Sequence, residues 1–235
     1  MRKNDRNARS LFEPGSATPD AKPTRPAGES ANYGALGSRQ VYPAGFPLFV
    51  QGAHVQEVVG IEYGLVKLAC AGESGRELII GVYGPGWMLG MAAAILQRPA
   101  PATAVTLTRC SVWRIPVENL RRRIEQSDDF SKLLLQMASR EAYEQIHCHV
   151  AMGLSTARER LEQVFRECLS TVNPTVGEVP LPLPLRQWEL AALIAVAPEH
   201  LSRILREMER EGLIRRYKGR VIIVDPQRLR RESEL

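Results

Sequence analysis

The stretch from Arg186 to Val224 constrains this chain more than any other, because its apolar residues switch from helical to strand periodicity within one short segment. Pro198 stands where a helix can begin, since at the first helical position its missing N–H would have had no helical partner. From there Leu201, Ile204, Leu205 and Met208 recur at spacings of three and four and predict one buried stripe. Glu199, His200, Ser202, Arg203 and Arg206 are left for the other face. The preceding segment carries a matching stripe of Leu190, Leu193 and Ile194, and Ala191 is small enough to let two helices cross closely. After Gly212 the period becomes two, through Leu213-Ile214 and Val221-Ile222-Ile223-Val224 around a Tyr217-Lys218-Gly219-Arg220 turn. The pattern predicts helix, turn, helix, wing.

The polar face suits DNA. An arginine gives two parallel hydrogen bonds to O6 and N7 of guanine, and a glutamate accepts from the N4 amino group of cytosine. Glu199 and Arg203 are four apart, so one helix face presents both to the floor of a major groove. His200, Ser202 and Arg206 flank them, and Lys218 on the wing is placed for a phosphate. E-x-x-S-R, followed by a helix ending in E-x-E-G-L-I and a basic wing, resembles the recognition helix of the Crp/Fnr transcription regulators. Two positions depart from that family: Ala195 stands at the turn where it usually has Gly, and Ala197 where it usually has a Ser or Thr cap. An Ala at a helix cap costs about 1 kcal/mol.

A chain of 235 residues is long enough for about two domains. A hydrophobic content of 44% allows a packed core, and a net charge of +5 favours an anionic partner. No apolar run approaches the roughly 20 residues needed to cross a bilayer, so no membrane partner is expected. The N-terminus has charge but no apolar stretch after it, which does not read as a secretory signal, and a cytoplasmic location is the expectation. Cys70, Cys110, Cys148 and Cys168 are dispersed, with no C-x-x-C pair, and read as small buried hydrophobes rather than metal ligands.

Residues 1–38 are rich in Arg, Asn, Ser, Pro, Gly and Ala and read as a disordered tail. From Arg39 the chain turns into short strand-like runs: Tyr42 to Gly45, Leu48 to Val50, Val58 to Ile61, Leu65 to Leu68 and Leu78 to Val82. This spacing predicts an antiparallel roll or barrel. The order Y-P-A-G-F-P-L-F-V-Q-G, G-L-V-K-L, then G-R-E-L-I-I-G-V-Y-G-P-G-W-M-L-G is similar to the cyclic-nucleotide-binding domain of Crp/Fnr proteins. Gly52, Gly64, Gly75, Gly84, Gly86 and Gly90 fall where that roll turns.

The resemblance also marks what is missing. Relatives that bind cyclic nucleotides follow the turn glycine with a glutamate for the ribose hydroxyl and place an Arg-Ser pair about ten residues later for the cyclic phosphate. Here Gly90 is followed by Met91, and the Arg-Ser place is held by Ala100 and Pro101, which removes the bidentate phosphate partner. Cyclic AMP is therefore not the expected effector. Trp87, Met91, Arg98 and Ile146 are the candidate lining of an effector pocket, with Met88 and Ile95 adding to its apolar character. The alternatives are a pocket filled by its own side chains or one that takes something hydrophobic, with Arg98 as the nearby substitute for the phosphate partner.

Val117 to Ile124 predicts a short amphipathic helix. Ser127, with Asp128 and Asp129 in the first turn, then starts a long one as the helix dipole favours. On it Leu135, Ala138, Ala142, Ile146, His149 and Gly153 repeat at three and four, a seam of the kind two identical helices bury against each other. His147, Cys148 and His149 point about 100° apart on a helix and cannot chelate one ion together. The existence of haem-sensing relatives keeps haem as the alternative to no cofactor. Ala157 to Leu169 predicts a further helix, with Leu161, Val164, Phe165 and Cys168 inward. The proline-rich Asn173 to Leu185 predicts a loop, which in relatives that approach RNA polymerase is a contact surface.

The expected architecture is α+β: a tail over 1–38, a cyclic-nucleotide-binding-like antiparallel β-roll over 39–126, a dimerisation helix over 127–154 and a winged helix-turn-helix domain over 155–235. The function implied is a homodimeric, sequence-specific regulator of transcription on double-stranded DNA. The rival reading is an effector- or haem-binding signalling module acting through protein contacts. No nucleophile elbow, phosphate loop or clustered carboxylate pair points to catalysis, and no metal site is expected.

Overall fold

The computed structural model describes residues 33–72, 77–171, 178–181, 183–217 and 220–231. Most of the predicted tail, together with Gly75 and Lys218, lies outside the described residues. Described residues up to His147 form one compact unit and those from Cys148 onward form another.

The first unit opens with a 3-10 turn at Tyr33–Ala35 and the strands β1 (Ser38–Tyr42), β2 (Pro47–Phe49), β3 (Glu57–Tyr63), β4 (Val66–Ala71), β5 (Glu77–Tyr83) and β6 (Met88–Leu89). The short helix α1 (Met91–Leu96) precedes β7 (Thr103–Thr106) and β8 (Cys110–Pro116), and the helices α2 (Val117–Gln126) and α3 (Asp128–Leu154) follow. The strands form two sheets, ordered β1-β8-β3-β6 and β2-β7-β4-β5, with antiparallel pairing throughout.

Strand alternation sorts the apolar residues into two cores. Val59, Ile61, Leu89 and Val112 of the first sheet pack with Leu48, Val66, Tyr83 and Ala104 of the second. Their neighbours Val58, Met88 and Ile115 point the other way, as period two requires. There they meet Met91 and Ala94 of α1, Leu120 of α2, and Phe130 and Leu134 at the start of α3. Gly64 turns β3 into β4 at φ 93°, and an added Cβ would come within 2.6 Å of the Arg109 carbonyl oxygen. Only glycine fits there.

One expected strand is corrected. Tyr42 ends β1 rather than beginning a strand, and the chain turns through Gly45 at φ 83°. β7 and β8 were not anticipated at all. The start of α3 follows expectation: Ser127 Oγ accepts from the Phe130 N–H at 3.3 Å, and Asp128 and Asp129 occupy the first turn.

The second unit contains the end of α3, then α4 (Ala157–Thr171), β9 (Val179–Pro180), α5 (Gln187–Leu193), α6 (Pro198–Arg210), β10 (Ile214–Tyr217), β11 (Arg220–Ile223) and α7 (Pro226–Arg231). Leu161, Val164, Phe165 and Cys168 of α4 are buried as expected. The proline-rich loop contributes β9, so the wing is a three-stranded sheet ordered β10-β11-β9. Among the described residues no helix is long and apolar enough to cross a membrane.

Candidate nucleic-acid interface

Helix α6 buries Leu201, Ile204, Leu205 and Met208, each at most 4% exposed. They pack with a unit whose other buried residues include Leu190, Ala191, Leu193 and Ile194 of α5 and its following turn. The turn between the helices passes through Ala195 at φ 55°, a left-handed backbone that an alanine adopts at a cost. Pro198 is at the helix start and the cap residue Ala197 offers no side-chain hydrogen bond. Both departures noted in the sequence are therefore physically present at this turn.

The turn is held from outside. Arg160 of α4 donates Nε to the Ile194 carbonyl at 3.0 Å and Nη1 to the Ser155 carbonyl at 2.6 Å. At the far end of α6, Gly212 at φ 72° lets the Leu213 N–H reach the Met208 carbonyl and its own N–H reach the Glu209 carbonyl, both near 3 Å. This closes the helix with its last carbonyls satisfied. Glu209 then accepts from the Arg216 backbone N–H at 2.9 Å and from its guanidinium at 2.6 Å, which fixes the wing's first strand against the helix end. The Arg216 guanidinium holds the Glu209 carboxyl below its ordinary range.

Glu199, His200, Arg203 and Arg206 are exposed on α6, whereas Ser202 is half-buried. Arg158, Arg215 and Arg216 are each ion-paired within the unit. Among the described residues the Glu199 carboxylate and the Arg203 guanidinium have no such partner. The Arg206 Nε is drawn along the helix to the Ser202 carbonyl at 3.2 Å. One contact escaped the sequence: Gln187, at the start of α5, donates Nε2 to Ser202 Oγ at 3.1 Å. No local pattern links residues 15 apart on different helices.

The proposed pocket residues fall in different places. Trp87 is buried in the core between the sheets, edge-on to Tyr83 with ring centroids 5.1 Å apart. Met91 is 4% exposed in the core on the opposite side of the first sheet. Arg98 is exposed and Ile146 is 62% exposed. The sequence did not single out Arg140, whose guanidinium carbon lies 4.7 Å from the Trp87 ring centroid and whose Nε is buried without a partner among the described residues. Burial raises the Tyr33 hydroxyl pKa, while the nearby Arg140 charge acts to lower it. Ala100 is buried, with its N–H donated to the Ala53 carbonyl at 2.8 Å.

On α3 the seam residues Leu135, Ala138, Ala142, Ile146 and His149 are all exposed. His147 is exposed and stacks obliquely on Tyr143 at 4.6 Å, and Cys148 is half-buried. Cys110 and Cys168 are buried, Cys70 half-buried, and none of the four cysteines is in a disulfide.

Two family descriptions match this chain: a cyclic nucleotide-binding domain over residues 39–127 and a Crp-like helix-turn-helix domain over residues 131–232. The Cyclic AMP receptor protein of Thermus thermophilus is 30% identical over 186 residues, 78% of this chain and 82% of that protein. The nitrogen fixation regulation protein FixK of Bradyrhizobium diazoefficiens is 25% identical over 206 residues, 86% of this chain and 85% of that protein. The solved structure of a CRP/FNR-family transcriptional regulator, also from Thermus thermophilus, aligns with a TM-score of 0.72 at 21% identity, covering 84% of this chain and 99% of that one. Antiparallel sheets, a long helix and a winged helix-turn-helix, matched along most of the length of characterised regulators, make this chain a member of the Crp/Fnr family of DNA-binding transcription regulators, a family without enzymatic activity.

Proposed function

We propose that this regulator acts in the cytoplasm as a homodimer on an inverted repeat, reads each half-site with Glu199 and Arg203, and does not respond to cyclic AMP. One observation carries the reading of α6. Arg158, Arg215 and Arg216 are paired with carboxylates within the second unit, whereas Arg203 and Glu199 are exposed on α6 with no ion pair among the described residues. A guanidinium in that state meets a guanine edge without breaking an internal bond. Two-fold symmetry then demands half-site centres about 34 Å apart. The E-x-x-S-R face favours a half-site resembling TTGAT over TGTGA. His200, Arg206 and Lys218 supply flanking and phosphate contacts.

Independence from cyclic AMP is supported by the burial of Met91 and Ala100 where a ribose-binding carboxylate and a phosphate-binding arginine would be needed. The roll instead answers to another small molecule, and RNA polymerase is the protein partner on DNA. Selection of random duplexes with the full-length protein tests the reading. The expected result is an inverted repeat whose guanine preference is relaxed in Arg203→Ala, at a cost of about 1–3 kcal/mol. A non-palindromic site, or an unchanged preference in that variant, overturns it. An absorption spectrum of the same preparation tests haem.

A further inference from the structure

Ser202 differs from the other polar residues of α6. Glu199, His200, Arg203 and Arg206 are exposed, whereas Ser202 is half-buried, with its hydroxyl oxygen already accepting from Gln187 Nε2 at 3.1 Å. Its carbonyl is also occupied, by Arg206 Nε at 3.2 Å. A serine hydroxyl has one proton to give and two lone pairs to offer, so an unconstrained serine meets either a donor or an acceptor on a base edge. Once the oxygen accepts from an amide, the O–H is polarised and donates more strongly, and its proton must point away from Gln187.

We propose that Gln187 is a positioning residue for DNA specificity: it occupies one of the two lone pairs of Ser202 and keeps the hydroxyl proton turned outward, which biases the hydroxyl towards donating to DNA. This rests on the reading of α6 as the base-reading helix. In the major groove guanine offers O6 and N7, adenine N7 and thymine O4 as acceptors, whereas cytosine presents only its N4 amino donor. With one of its two lone pairs taken by Gln187 and its proton left to donate, Ser202 is biased against cytosine at the base it faces and towards the other three. Glu199 and Arg203 read their own bases on either side of it. The discrimination is the size of one hydrogen bond, about 2- to 10-fold.

The test reverses the polarity. In Gln187→Glu the side chain keeps its shape but its carboxylate only accepts, so the Ser202 proton turns inward and a lone pair faces the DNA. Selection on random duplexes with the full-length wild-type protein is expected to deplete cytosine at one position of each half-site, next to the guanine read by Arg203. Gln187→Glu is expected to restore cytosine there by about 2- to 10-fold, and Ser202→Ala to flatten the same position. The double variant Gln187→Glu/Ser202→Ala is expected to match Ser202→Ala, because Gln187 acts only through the hydroxyl. The added carboxylate weakens binding to all sequences by repelling phosphate, so the readout is relative base preference and not affinity. Thermal melting confirms that each variant is folded. If Gln187→Glu lowers affinity uniformly and leaves every base preference unchanged, Gln187 does not set specificity, although α6 remains the reader. If the wild-type protein enriches no sequence, both readings fall together.

Discussion

Arg158 binds Glu211 with both arms of its guanidinium, Nη1 to Oε1 at 2.7 Å and Nη2 to Oε2 at 2.5 Å, while its Nε donates to Glu162 at 2.8 Å. The contact fastens α4 to the residue that closes α6, so a surface ion pair here also bears on the orientation of that helix. The two side chains are about a third exposed, which limits the pair's contribution to about 1 kcal/mol or less.

That pair predicts a pH dependence. Hydrogen bonding from Arg158 holds the Glu211 carboxyl below its ordinary value of 4.5, against a smaller opposing effect of burial. A depressed folded-state pKa means that the stabilisation is complete above that ordinary, unfolded value and is lost as pH falls through the folded one. Arg158→Ala is therefore expected to melt below wild type at pH 7, with the difference shrinking as pH drops below about 4. Thermal melts of both proteins across pH 3–7 check this. A gap that persists undiminished in acid means the loss comes from packing and not from the ion pair.

The turn before α6 makes an independent prediction. Ala195 is held at φ 55°, where a Cβ costs about 1–2 kcal/mol, and glycine would escape that cost at the expense of a more flexible unfolded chain. Ala195→Gly is expected to gain up to about 1 kcal/mol, and Ala195→Val to lose stability. Ala197→Ser supplies the missing cap and is expected to add about 1 kcal/mol. Denaturant midpoints measure all three, and a stabilising Ala195→Val refutes the strain argument.

These details also show what the sequence made legible. The stripe on α6 was readable because one face is buried and the other wet, so chemistry alternates with the helical period. β8 was not, because it lies between β1 and β3 and is largely enclosed on both faces: Cys110 and Val112 point into one core and Ile115 into the other. A central strand of this kind shows no apolar–polar alternation. β9 escaped because two residues including Pro180 make a strand only when β11 is beside them. The Gln187–Ser202 bond and the Arg140–Trp87 stack join residues far apart in the chain, and no periodicity reports such pairs.

Met91 offers a test of the proposed independence from cyclic AMP. The side chain is packed in a core with Met88, Ala94, Leu120, Phe130 and Leu134, so it is a structural residue as well as a missing glutamate. Calorimetry of the wild-type protein is expected to show no heat at millimolar cyclic AMP. Met91→Glu is expected to bind none either, and to lose about 2–4 kcal/mol by forcing a carboxyl into that core. A micromolar dissociation constant for either protein would defeat the argument.

The last prediction concerns assembly. In the single chain α3 leaves Leu135 67%, Ile146 62% and Val150 52% exposed, on the same helix whose Phe130 and Leu134 are buried. Burying Leu135 and Ile146 against the same residues of a second copy removes apolar surface worth about 25 cal/mol per Å². The small Ala138 and Ala142 between them let the two helices approach closely. Ala142→Glu places two like charges at the centre of that seam, where burying them against each other opposes association. Sedimentation is expected to give monomers that retain the wild-type circular dichroism spectrum and lose cooperative binding to an inverted repeat. Ala142→Ser, of similar size and uncharged, is expected to remain dimeric. A dimeric Ala142→Glu would mean that the two copies meet through a different face of α3, since a seam built on Leu135, Ala138, Ala142 and Ile146 cannot close over paired carboxylates.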